Sequence, residues 1–174
     1  MNSKIVLILT LFLLTLSPAT LEAKELLIEA DQVAGIRSSA ESTDLRLLMR
    51  FPMPEKLAGK SVDFACVFFD VTCAGEKGVV SLEAFRVTSE WDASSVSWSG
   101  PWVKDGGDWD GDASADWVVA EGEGKAVYLD LTDFVNGWLN EPSRNFGVIV
   151  KVSGPFLGTF DVNPTRTPSL KVLY

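Results

Sequence analysis

From Lys24 onward, apolar residues fall in short runs separated by turn residues, and few stretches repeat them at helical spacing. Leu26–Val33 reads as a first strand, Ser38–Thr43 as a loop and Leu45–Phe51 as a second strand. Pro52 and Pro54 lack the N–H a ladder needs and end it there. Ala58-Gly59-Lys60 turns the chain into Ser61–Val71, the longest strand candidate, and Ala74–Gly78 is a hairpin-like link to Val79–Val87. Ala126–Leu131 places Val127, Leu129 and Leu131 on one face, and Val148–Val152 and Pro168–Tyr174 supply the last strands. One helix is predicted, with Thr132 as cap, Asp133 in the first turn, and Phe134, Val135, Trp138 and Leu139 as its apolar stripe. Asn140, Glu141 and Pro142 end it. Short strands at intervals of about ten residues predict an all-β, jelly-roll-like two-sheet sandwich, one domain over 24–174.

The start of the chain is different. Lys4 precedes the apolar run Ile5–Leu16, and small residues follow up to Ala23. This is the organisation of a signal peptide over residues 1–23, too short for the roughly twenty residues that span a bilayer. The expected product is secreted, periplasmic or on the cell surface, without a membrane span after processing. Its net charge stays at -9, because Lys4 and Glu22 leave together. That charge argues against nucleic acid and anionic membranes as partners and leaves divalent cations and neutral or cationic ligands.

Export permits disulfides, yet Cys66 and Cys73 are seven residues apart. On one extended strand they would lie about 23 Å apart on opposite faces, so no bridge between them is expected unless the strand bends sharply after Asp70. With no histidine in the chain, Ser-His and Cys-His catalysis is excluded. The reading is therefore of a non-enzyme, a carboxylate-only glycosidase or lyase being the exception left open.

Two features could carry binding. Asp105, Asp108, Asp110, Asp112 and Asp116 cluster among Gly106, Gly107 and Gly111, a composition suited to the oxygen-rich shell of Ca2+. Asp108, Asp110 and Asp112 imitate the start of an EF-hand loop, but Ala113 and Val119 stand where its glycine and bidentate glutamate belong. A structural calcium site through Asp105, Asp108, Asp110 and Asp112 competes with a solvated acidic loop. The second feature is the set of six tryptophans. Trp91, Trp98 and Trp138 sit at element ends among apolar neighbours and read as core. Trp102 and Trp109 lie in the Gly/Asp-rich loop, where exposure and ligand contact weigh equally with burial. Trp117 joins them as a ligand-binding candidate whose place the pattern does not define.

The stretch Val87-Thr88-Ser89-Glu90-Trp91 followed by Ser95-Val96-Ser97-Trp98 resembles the "V-T-x-x-W…x-V-T-W" signature of the DNRLRE-type (disaggregatase-related) domain, a family grouped with carbohydrate-binding modules. Arg46–Phe51, Gly106–Asp110, Leu129–Trp138, Asn145–Gly147 and Pro168–Tyr174 are similar to further pieces of that family, in its order. Departures are a shortened N-terminal part and Phe160-Asp161-Val162-Asn163 in place of a serine-glutamate pair. The resemblance implies a jelly-roll-like sandwich appended to extracellular polysaccharide-active or surface proteins. The expected partner is thus a polysaccharide or cell-surface glycan, met through the Trp98–Trp117 loops. The alternative is a structural or cell-surface protein whose exposed aromatics pack against envelope proteins or against itself.

Overall fold

The computed structural model describes residues 23–39, 44–75, 79–120, 125–153, 158–162 and 167–174, and side chains within 23–39, 44–70, 81–111, 126–152 and 167–174. Two antiparallel sheets face each other. The first joins β1 (Glu25–Glu29), β10 (Ser169–Leu173), β4 (Phe64–Gly75) and β7 (Lys125–Asp130), in that order. Strand β9 (Gly158–Val162) continues the β10 side of β4. The second joins β2 (Gln32–Arg37), β3 (Leu45–Arg50), β8 (Val148–Ser153), β5 (Val79–Val87) and β6 (Trp109–Ala120). With β2 extending β1 and β9 inserted, this is the strand order of a jelly roll, as the strand spacing and the resemblance predict.

Alternation explains the core. Ala65, Val67 and Phe69 of β4, Val127 and Leu129 of β7, Leu47 and Met49 of β3, Leu82 and Ala84 of β5, and Val148 and Val150 of β8 all point between the sheets. The helix α1 (Thr132–Asn140) closes one end with Phe134, Val135, Trp138 and Leu139, the stripe read from the sequence. Thr132 is not its cap. Leu131 holds that position, and Asp130 Oδ1 accepts from both the backbone N–H and the hydroxyl of Thr132, at 2.9 and 2.6 Å. The Thr132 hydroxyl oxygen in turn accepts from Ala65 N, tying the helix to β4.

Three strand readings are corrected. Leu26–Val33 is two strands in different sheets, because the chain crosses at Ala30-Asp31. There Ala30 N–H donates to Pro168 O, Asp31 N–H donates to Arg50 O, and the Asp31 carboxylate pairs with Arg50. The acidic stretch is not a free loop: most of it is β6, an edge strand paired with β5. Between the pairs Phe85–Ser114 and Val87–Trp109 the register shifts, so residues 110–113 stand opposite Arg86. Strand β9 overlaps the penultimate strand that the resemblance places at Phe160–Asn163, but begins at Gly158. Cys66 is a free thiol, and Cys73 lies on the same strand with its side chain outside the described residues.

Sheet two has a second core on its outer face. Ile36, Leu48, Phe85, Val87 and Ile149 would face solvent in a bare sandwich, but Trp91 and Trp102 from the β5–β6 connection cover them. Strand β3 is therefore buried on both faces along most of its length, Arg46 included.

Candidate functional site

The connection from Thr88 to Asp108 is held by its tryptophans. Trp91 Nε1 donates to Phe146 O at 2.7 Å and Trp102 Nε1 to Ser97 O at 2.8 Å, so each indole satisfies its polar edge while burying its ring. Trp102, the first of the proposed ligand aromatics, is only 8% exposed. Of the two outcomes weighed equally for Trp102, burial is the one found: outward apolar residues of the sheet supply a surface that the ring covers. Trp98 and Trp109 are half-buried, and Arg46 lies between them, its guanidinium carbon 4.3 Å and 4.8 Å from the two ring centroids. Lys151 stands 5.4 Å from the Trp109 centroid and 5.2 Å from that of Phe85. Trp109 is thus engaged in a cation–π ladder across the sheet. Trp117 lies in β6, its side chain outside the described residues.

The aspartates take separate tasks. Asp105 is exposed. Asp108 organises the connection, accepting from Val103 N, Lys104 N and the Ser89 hydroxyl at 2.9, 3.1 and 2.9 Å. Asp110 pairs with Arg86 at 3.1 Å, and the side chains of Asp112 and Asp116 lie outside the described residues. Among the described residues no three acidic or sulfur ligands converge on one point.

Burial is the largest single influence on Asp108 and pushes its pKa up, but the donors from Val103, Ser89 and Lys104, with the Lys104 charge, together hold it below the usual 3.8. A depressed folded pKa stabilises the fold above the unfolded value, and that stability is lost as pH falls through the folded one. The connection is therefore expected to loosen on acidification below about pH 4. Tryptophan fluorescence should show this transition in wild type and not in Asp108→Asn; equal acid profiles would remove Asp108 as the organiser.

A cleft of about 300 Å³ opens where the end of β5, the start of β6 and α1 meet. Arg86, Asp110, Glu141 and Arg144 line it beside Thr88, with the half-buried Phe146 at its side and Trp138 packed behind it. Arg86 pairs with Asp110, and Arg144 with Glu141 at 3.2 Å. These pairs are solvent-accessible, so each stabilises the fold by less than about 1 kcal/mol. A guanidinium carries five N–H donors and a carboxylate about four acceptor positions, so groups of this kind can hold a partner and still meet a ligand. Trp138 is 1% exposed, and its indole N–H has no acceptor among the described residues.

A neighbouring cleft of about 440 Å³ is lined by Thr88, Ser89, Val103, Lys104, Asp108 and Trp109. Successive residues Trp109 and Asp110 thus serve different clefts, as expected from side-chain alternation on a strand. Of the sequence candidates, only Trp109, Asp108 and Asp110 reach either cleft among the described residues. Arg86, Arg144, Glu141 and Phe146 escaped the sequence reading because nothing local marks them; 58 positions separate Arg86 from Arg144. Elsewhere, burial pushes the Cys66 thiol up, against the opposing Lys171 charge and with help from Asp130, so it stays protonated at neutral pH.

No protein-family model matches this chain, and no curated protein does. The class defined by the structure is an all-β sandwich.

Proposed function

We propose that this protein is a non-catalytic carbohydrate-binding sandwich, and that the cleft between β5, β6 and α1 receives a neutral glycan. The observation that carries the reading is the lining of that cleft, where two guanidinium–carboxylate pairs stand beside the half-buried Phe146 ring. A sugar hydroxyl both donates and accepts, so it can use the carboxylates and the guanidinium N–H groups together. The half-buried Phe146 ring offers apolar area to a C–H face, and the volume lies at the small end of ligand sites. The four charges cancel within the cleft and the chain carries -9 overall, which disfavours polyanions. With no histidine in the sequence and Cys66 buried elsewhere, Ser-His and Cys-His catalysis has no residues here, which supports binding over bond cleavage. The resemblance of Val87–Trp98 to the DNRLRE-type signature supports the same reading.

Affinity electrophoresis in gels containing neutral xylan, mannan or β-glucan, with alginate as an acidic contrast, tests it. Wild type should be retarded by a neutral polysaccharide. Arg144→Ala should weaken binding roughly tenfold, the size of one lost charge-assisted hydrogen bond. Its melting temperature should stay unchanged, because Arg144 is 75% exposed. Absence of wild-type retardation in every neutral gel would sink the proposal.

A further inference from the structure

The outer faces of the two sheets differ. Sheet two is roofed by its own chain, whereas sheet one leaves Leu27, Phe64 and Tyr128 at 53%, 37% and 49% exposure, with Phe68 half-buried 6.5 Å from Tyr128. Exposed apolar surface of this kind marks interaction sites.

Its register makes the face self-complementary. One row across the sheet reads Leu27, Lys171, Cys66, Asp130, and another reads Glu29, Ser169, Phe68, Tyr128. In both rows β4 is central, with β10 on one side and β7 on the other. A twofold axis lying along β4, between two copies packed face to face, exchanges β10 with β7. It sets each Lys171 opposite Asp130 of the other copy and each Tyr128 above the small Ser169, while Phe68 meets Phe68. Lys171 also pairs with Glu25 of its own copy at 2.8 Å, so in this arrangement each ammonium meets one carboxylate of its own sheet and one of the facing copy.

We propose that this face is a homodimer interface, sheet one against sheet one about an axis along β4. The interface is isologous, as most dimers are, and buries the aromatic patch at the usual sheet-packing distance of about 10 Å. It is independent of the glycan cleft, which lies at the end of sheet two.

Sedimentation equilibrium at physiological salt tests the arrangement. Wild type should dimerise, and Tyr128→Asp, on an exposed side chain, should abolish dimerisation. Lys171→Asp opposes two carboxylates and Asp130→Lys two ammonium groups, so each alone should weaken association roughly a hundredfold. An equimolar mixture of these two variants restores both opposite-charge pairs and should dimerise within a few-fold of wild type. Because Asp130 holds the start of α1, the helical circular dichroism of Asp130→Lys is checked beside the sedimentation. A monomeric wild type, dimers indifferent to Tyr128→Asp, or a mixture that stays monomeric although both variants are folded would each overturn the proposal.

Discussion

Arg46→Ala is expected to destabilise the protein by about 3 kcal/mol, as much as the loss of a buried aromatic. Arg46 is 8% exposed, and its Nη1 donates to Gly106 O at 2.6 Å. Truncation strands that carbonyl, which costs about 1–3 kcal/mol, and removes two cation–π contacts worth about 0.5–2 kcal/mol each. The architecture around the guanidinium is specific: Gly106 has φ +86°, and a Cβ there would collide with the Arg46 guanidinium. Arg46→Lys should recover little, because an ammonium cannot lie flat between two indoles and reach Gly106 as well. Chemical denaturation measures the loss, and near-ultraviolet circular dichroism should show Trp98 and Trp109 released together. A change below about 0.5 kcal/mol, the range of ordinary surface substitutions, would mean that the roof of sheet two is held elsewhere.

Gly147→Ala should cost about 4 kcal/mol, at the upper end of single substitutions. Gly147 has φ +85°, and its missing Cβ would enter the backbone of β3 at Met49 O, 2.9 Å from Arg50 Cα. Neither neighbour is a side-chain tip that can swing away. Its carbonyl also accepts from Val87 N, so a shift would disturb the end of β5 and the adjoining cleft. The expected fall in melting temperature is roughly 10 °C for a domain of this size. A loss of less than about 1 kcal/mol, the strain of the backbone angle alone, would show that β3 and β8 can separate locally without cost.

Local pattern was enough for much of the fold. Val79–Val87 is a strand over the residues read from the sequence, and the stripe Phe134, Val135, Trp138 and Leu139 is the buried face of α1. Both follow from periodicity, which a chain displays whatever it packs against. Burial of Trp91 and Trp138 is likewise as read, since large apolar rings beside apolar strands have nowhere cheaper to go. The acidic residues of β6 gave the opposite signal. Their weak strand propensity yields to the ladder with β5, because propensity spans about 1 kcal/mol whereas edge pairing satisfies a whole row of backbone groups.

What the sequence alone determined is the alternation, the single helix and the class of sandwich, all properties of neighbouring residues. Which face of a sheet is roofed, where Arg46 stacks, why Trp102 is buried, and how Arg86 and Arg144 meet across one cleft were decided only in three dimensions. Those outcomes depend on contacts between residues tens of positions apart, and no local spacing encodes them. A tryptophan in a polar loop has the same sequence signature whether it faces solvent or a second core.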